Sequence, residues 1–572
     1  VKVAIARVAG FCMGVRRAVD MALEASNTAL KPVYTYGPLI HNPSVLSLLE
    51  ARGVNILREI PEHGKGTVII RAHGVLPQEM ERLRKAGFNV LDATCSRVIQ
   101  VQMIVRHHAR KGCQCVLIGD RGHPEVAGIM GYAQGRGILV DSEADIEDLP
   151  ILTNYIIVAQ TTQDRERFEV WTRRILEKYP GGKVFETICD STRKRQAEVR
   201  RLAAEVDAMV VVGGRESANT RRLAEIVAEC GKPAIAVETE EDLDPVRLAG
   251  LQKVGITAGA STPNWIINRV VRAVEALPGA GDAAIQRGLY RLVRFLHESN
   301  LWTALAGGAL GLAVSRMETS ALGPGATVAM TFCYIFAMHA LNRLIDWQTC
   351  EFNDPLRARF LFQHKGVFYT LAVLAVCASL WIAWTGSAAS FALLLALTAF
   401  GVLYTMPFLP GGGRSLKDLP GSKTVFVALA WASVAVLVPD MGWDLPQDAR
   451  RGILFVLVAV LVYLRAALME VLDVQGDRIV GRETLTVVMG EEKTTRLVQI
   501  LSLTLGAVSV VFATLGSVPL AAAFCPASLW MFWLAGRFRG ERLGQYLRLE
   551  LMVEASFFLL LGCVFLLDRF RP

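Results

Sequence analysis

Apolar residues are unevenly distributed along this 572-residue chain, and that imbalance divides it. Up to about residue 285 the charges are dispersed and the apolar runs short. From about residue 300 onward apolar runs recur near the ~20 residues that a helix needs to cross a bilayer core. An apolar fraction of 52% and a mean hydropathy of +0.36 are too high for one ordinary soluble enzyme. They suit a soluble domain at 1–277, a linker and interfacial segment at 278–298, and a polytopic membrane domain at 299–572. The net charge of +8 falls largely in loops of the second half, without basic–aromatic interleaving, so no nucleic-acid partner is expected. The 11 cysteines form no closely spaced, even framework, which points to a reducing compartment. The first apolar run, Val1 to Ile5, reads as a strand and is too short for a signal peptide, so the first half is expected to stay in the cytoplasm.

Within that half one arrangement recurs. Cys95 follows the apolar run Asn89-Val90-Leu91 and precedes a helical pattern from Val98 to Lys111. A cysteine at a strand-to-helix turn sits at the positive end of a helix dipole, which favours the thiolate. One such cysteine is more often packing than chemistry, but Cys12 and Cys189 stand in the same register. After each comes a helix, a strand ending in a polar turn, and a second strand ending in another. The first pass supplies His41 and His73, the second His123, Glu125 and Thr161, the third Ser217, Asn219 and Ser261. Cys12 precedes His41 by 29 residues, Cys95 precedes His123 by 28, and Cys189 precedes Asn219 by 30.

Alternating strands and helices imply parallel α/β units, and ligands bind at the carboxyl ends of such strands. Three related units would bring three cysteines and two rings of polar side chains to one centre. Three thiolates can hold three irons of a cubane cluster and leave the fourth open, where a structural cluster takes four cysteines. Apart from Glu125 the polar ring is neutral or cationic, which suits an anion, and helix N-termini would add to it. Glu125 is placed like a general acid. His63, His107, His108, Cys113 and Cys115 are expected to be packing or surface.

The motifs Gly-Phe-Cys-x-Gly-Val at 10–15, Gly-Pro-Leu-Ile-His-Asn at 37–42, Arg-Ala-His-Gly-Val at 71–75, Asp-Ala-Thr-Cys at 92–95, Gly-His-Pro-Glu-Val at 122–126, Gln-Thr-Thr at 160–162 and Ala-Gly-Ala-Ser at 258–261 occur in order. Residues 1 to about 275 thereby resemble the 4-hydroxy-3-methylbut-2-enyl diphosphate reductase (LytB) family. The resemblance implies a [4Fe-4S] cluster on Cys12, Cys95 and Cys189. It implies a substrate diphosphate held by His41, His73, Ser217, Asn219 and Ser261, with His123 and Thr161 near the hydroxyl end and Glu125 as proton donor. The reaction would use an external donor of ferredoxin or flavodoxin type to remove an allylic hydroxyl, giving isopentenyl and dimethylallyl diphosphates. The family's Ser-Ser-Asn is Ser217-Ala218-Asn219 here, so weaker substrate binding is expected.

In the second half about nine apolar spans centre near 308, 331, 376, 398, 430, 461, 505, 527 and 558. Ahead of them, Arg287, Arg291 and Arg294 lie opposite Leu289, Leu292, Phe295 and Leu296 at helical spacing. This suits either a helix on an anionic membrane surface or the start of the first span. Basic residues concentrate in alternate loops, which puts those loops and the first half on the cytoplasmic side of an inner membrane. Two cytoplasmic span ends carry costly polar groups: Asn342 with Asp346, and Glu470, Asp473 and Asp477 at i, i+3 and i+7. Two such clusters suggest a hard divalent cation, Mg²⁺, and Mg²⁺ flanked by Arg and Lys suggests a diphosphate.

The stretches Asn342-Arg343-Leu344-Ile345-Asp346 and Glu470-Val471-Leu472-Asp473-Val474-Gln475-Gly476-Asp477 resemble the two motifs of the UbiA family of intramembrane prenyltransferases. The resemblance implies Mg²⁺ on Asn342, Asp346, Glu470, Asp473 and Asp477, with Arg343, Tyr404 and Lys417 near the diphosphate. It implies transfer of the prenyl group of a polyprenyl diphosphate to an acceptor, often aromatic. The first motif usually ends in Asp where this chain has Cys350, a soft and poor Mg²⁺ ligand that Glu351 would have to replace. The expected protein is a reductase joined to a prenyltransferase. The competing readings are a reductase with an inactive membrane anchor, or a non-enzymatic cluster sensor.

Overall fold

The computed structural model describes residues 1–277 except 249, then 284–318, 321–405, 421–440, 449–480, 482–538 and 546–569. The chain forms two compact units, Val1–Asp282 and Ala283–Pro572.

Twelve strands build the first unit: β1 (Lys2–Ile5), β2 (Val33–Tyr36), β3 (Val54–Leu57), β4 (Thr67–Ile70), β5 (Asn89–Asp92), β6 (Gln114–Ile118), β7 (Gly137–Val140), β8 (Tyr155–Ala159), β9 (Lys183–Val184), β10 (Ala208–Val212), β11 (Ala234–Val237) and β12 (Lys253–Ala258). They pair in parallel as three four-stranded sheets, ordered β3-β2-β4-β5, β7-β6-β8-β9 and β11-β10-β12-β1. The orders are equivalent position for position, so the threefold pattern is real, with one correction to its register. The strand ahead of each cysteine belongs to the preceding unit's sheet, and the first strand, β1, closes the last sheet against β12 with Lys2 opposite Lys253.

The central strands are buried on both faces. On β6, Val116 and Ile118 join one apolar cluster while Cys115 and Leu117 join the other, which accounts for a near-continuous apolar strand and for Cys115 as packing. Each sheet's fourth strand runs into a cysteine and then a helix: α1 (Met13–Thr28), α2 (Ser96–Arg110) and α3 (Asp190–Ala203).

Among its described residues the second unit is all helical. In order it comprises α4 (Ala284–Glu298), α5 (Leu301–Met317), α6 (Gly323–Ile345), α7 (Trp347–Asn353), α8 (Lys365–Gly386), α9 (Ala388–Thr405), α10 (Ser422–Ala432), α11 (Ala449–Val480), α12 (Glu491–Thr514), α13 (Phe524–Arg537) and α14 (Tyr546–Arg569), besides a short helix at Pro355–Gln363 that carries Arg357 and further single turns. Among the described residues seven helical segments are long and apolar enough to cross a membrane, and α5 and α9 are shorter apolar helices. These nine contain all nine span centres expected from sequence. On α4, Leu289, Leu292 and Phe295 are exposed. Its last turn is held, because Arg357 donates from Nε to the His297 carbonyl at 2.9 Å and the His297 ring meets Glu550 at 2.7 Å.

Candidate active sites

In the first unit all three cysteines are helix N-cap residues, at the starts of α1, α2 and α3. The Cys12 sulfur accepts the Val15 N–H at 3.4 Å. Burial raises the Cys95 thiol, the N–H groups of Arg97 and Val98 pull it down, and Cys12 and Cys189 push it up again. Gly14 explains the Cys-x-Gly spacing: a Cβ there would stand 2.5 Å from the Cys95 sulfur. The three cysteines line one cavity together with His41, His73, His123 and Glu125. Thr161, Ser217, Asn219 and Ser261 line it too, so every expected residue of this half meets at one centre.

The imidazoles form a patch, with ring centroids 4.9 Å apart in a tilted pair for His41–His73 and 5.4 Å apart edge-to-face for His73–His123. Burial lowers all three, His123 to about 4, so the rings are neutral near pH 7 until an anion arrives. His41 Nε2, His73 Nδ1 and both amide atoms of Asn219 are buried without a hydrogen bond. Buried polar atoms normally find partners, so this unmet capacity marks a ligand site. Ser261 donates its hydroxyl towards the His41 carbonyl and towards Ser217 Oγ, each at 3.3 Å.

Glu125 is 1% exposed. Burial pushes its carboxyl up to about 7, against the pull of Thr161, whose N–H donates to Oε1 at 2.7 Å. His123 Nδ1 accepts the Glu125 N–H at 3.1 Å, which leaves the ring proton on Nε2. A carboxyl half-protonated near neutral pH beside neutral imidazole donors can give up a proton where an anionic ligand sits.

Sequence reasoning passed over Arg195. Lying on α3 and 2% exposed, it donates to the carbonyls of Gly10 at 2.9 Å and Ala258 at 2.8 Å. It thereby ties the loop of Cys12 and the turn of Ser261 to the helix of Cys189. An arginine in a helical, charged stretch gives no sign of this.

In the membrane unit the acidic residues of α11 face α10. Lys423 Nζ lies 3.9 Å from Asp473, whose other oxygen accepts the Tyr546 hydroxyl at 2.7 Å. Thr424 donates to Glu470. Asp477 is 0% exposed and neither of its oxygens has a hydrogen bond. Asp346 is taken by an ion pair with Arg482, and Arg343 stands 3.7 Å from Glu550. Asn342 and Tyr404 line an aromatic cavity of about 290 Å³ with Phe400, Phe426 and Trp431. Lys417 lies outside the described residues. His297, Asp354 and Glu550 also cluster, but Arg357 donates to Glu550 at 2.9 Å and neutralises them as an ion network.

Residues 3–275 match the model of the LytB protein family. The 4-hydroxy-3-methylbut-2-enyl diphosphate reductase of Geobacter metallireducens is 42% identical over 279 residues, 49% of this chain and 99% of the relative. The chain belongs to the LytB family. The reductase of the same name from Geobacter sp. strain M21 is 44% identical over 277 residues, 48% of this chain and 98% of its own length. A solved structure of (E)-4-hydroxy-3-methyl-but-2-enyl diphosphate reductase is 43% identical, with a TM-score of 0.38, over 48% of this chain and 99% of that one. Residues 300–553 match the UbiA prenyltransferase family, so a LytB domain is fused to a UbiA-like domain. A UbiA homolog from Archaeoglobus fulgidus bound to GPP and Mg²⁺ is 15% identical, with a TM-score of 0.36, over 48% of this chain and 99% of that one.

Arg195→Ala leaves several buried carbonyls unpaired. It should lower stability by about 2–4 kcal/mol, read as a lower melting temperature in near-UV circular dichroism of the solubilised chain. Arg195→Lys should recover part of it.

Proposed function

We propose that the LytB domain reduces 4-hydroxy-3-methylbut-2-enyl diphosphate to isopentenyl and dimethylallyl diphosphates, releasing the hydroxyl as water. The observation that carries this is the meeting of three helix-capping cysteines with Glu125 and an unsatisfied polar ring in one cavity. The donor set fits a [4Fe-4S] cluster, which Cys12, Cys95 and Cys189 would hold through their three thiolates. When bound, the cluster supplies two electrons, received from a ferredoxin- or flavodoxin-type donor, and a Lewis-acidic site.

The protein's own groups do the rest. His41, His73, Ser217, Asn219 and Ser261 bind the diphosphate, with the unpartnered nitrogens of His41, His73 and Asn219 available to it and the Ser261 hydroxyl turning from its long bonds to Ser217 and the His41 carbonyl. As the anion enters, the imidazoles gain a reason to protonate, which adds charge-assisted bonds. His123 and Thr161 hold the hydroxyl end and orient Glu125. The reduction consumes two protons with the two electrons: Glu125, kept protonated by burial, gives one to the departing oxygen, which leaves as water, and the other, drawn from solvent, ends on the allylic carbon of the product. Ala218 offers no hydroxyl where the family has serine, which weakens diphosphate binding.

For the UbiA-like domain the reading is Mg²⁺-dependent transfer of a polyprenyl group to an acceptor in the aromatic cavity beside Asn342 and Tyr404. The buried, unpartnered Asp477 carboxylate supports a cation on this face, with Asn342, Asp346, Glu470 and Asp473 around it. Arg343, Tyr404 and Lys417 belong to diphosphate binding in this reading. An aromatic wall stabilises the allylic cation left when diphosphate departs. Cys350, beside Arg343 at 4.0 Å, favours a second reading in which this domain only anchors the reductase. In both readings the chain is a multi-pass inner-membrane protein with its LytB domain in the cytoplasm.

Cys95→Ser should abolish cluster absorbance and reductase turnover together; activity without the cluster would refute the assignment. Glu125→Gln should keep the cluster and substrate binding while turnover falls at least a hundredfold, about the contribution of a general acid. Because its raised value puts the proton on below about pH 7, wild-type turnover should fall as pH rises through that value. Asp473→Ala should remove Mg²⁺-dependent prenyl transfer; unchanged transfer would leave the anchor reading.

A further inference from the structure

Position 350 poses a problem for the membrane domain, because a soft thiol stands where a hard oxygen is needed. Glu351 does not solve it. Five residues from Asp346, it lies about 140° round the helix and is exposed. Asn353 is placed differently. Asp346, Cys350 and Asn353 fall at i, i+4 and i+7 along the start and body of α7, hence on one face.

That face packs on α11 at Gly476, between Asp473 and Asp477. A Cβ at Gly476 would stand 1.9 Å from the Asn353 carboxamide oxygen. Glycine is therefore required for this oxygen to reach the acidic helix. An independent observation points to a ligand here. Asp477 is fully buried, its charged neighbours are Lys423, Asp473, Arg482 and Glu470, and neither oxygen has a hydrogen bond.

We propose that Asn353 supplies the hard oxygen that Cys350 does not, as a ligand to a divalent cation held by Asp473 and Asp477. This rests on the reading of the domain as Mg²⁺-dependent. Asparagine carbonyls are ordinary ligands of hard cations, whereas thiols are poor ones. Charge also favours a carboxamide. Glu470, Asp473 and Asp477 face Lys423, while Arg482 is taken by Asp346. Three carboxylates against one ammonium leave an excess that one divalent cation cancels, and a neutral ligand keeps that balance. Among the described residues no three of these carboxylates bring oxygens within 4.8 Å of one another. That suits Mg²⁺, which keeps several waters and takes few protein oxygens.

The test is Mn²⁺ binding to the full chain in nanodiscs, followed by electron paramagnetic resonance, without any turnover. Wild type should show a site that Asp477→Asn removes. Asn353→Ala should weaken it about tenfold and Gly476→Ala, which displaces the carboxamide without deleting it, should do the same. Asn353→Asp should retain it, and Cys350→Ser and Glu351→Ala should stay within twofold of wild type. A wild-type site unmoved by Asn353→Ala, or weakened as much by Glu351→Ala, overturns the assignment of Asn353 alone. No Asp477-dependent site in wild type overturns the Mg²⁺ reading and this assignment with it.

Discussion

Three helix N-termini point at one place in the LytB domain, and the remainder of that domain is arranged to make this possible. Each terminus carries partial positive charge and unpaired N–H groups, so bringing three together is unfavourable without anionic partners. In the proposed cluster-binding role the cysteines at the caps are those partners as thiolates, and the neutral polar ring adds donors without adding fixed charge. Parallel sheets suit this convergence, because their strands all end on the same side and each can hand the chain to a helix. Arg195 then ties the loop of Cys12 and the turn of Ser261 to the helix that Cys189 caps, by binding their carbonyls.

Much of this was legible in the sequence because it is repeated. Three spacings in register carry more information than any single histidine or cysteine, and the structure places all three sets round one cavity. What stayed hidden was which strand joins which sheet. The pattern strand–Cys–helix reads naturally as one unit, yet hydrogen bonding assigns that strand to the sheet before. Apolar strands buried on both faces carry no mark of their neighbours, so pairing is decided by connection geometry rather than composition. Arg195 was invisible for a related reason, since its partners are backbone atoms from distant loops.

In the membrane domain the spans were legible from hydropathy and the acidic clusters from their cost. Their partners were not. Tyr546 reaches Asp473 across 73 residues of chain, and Lys423 and Arg482 looked like loop charges until the fold set them against carboxylates. Glu351 was the obvious substitute for position 350 by adjacency, but helical geometry turns it away and brings Asn353 round instead. Adjacency in sequence and adjacency on a helix face differ by a turn, and here the difference selects another residue.

The pairing of β1 with β12 has a consequence for how the protein comes into being. Lys2 finds Lys253 only after the intervening residues have been made and folded. Cys12, which follows β1 at the cap of α1, cannot take its place beside Cys95 and Cys189 before then. The donor set is therefore absent from every shorter nascent chain and arises in one closing step, as distant segments meet. A ribosome has by that point nearly finished the LytB domain, so the site closes late in its synthesis.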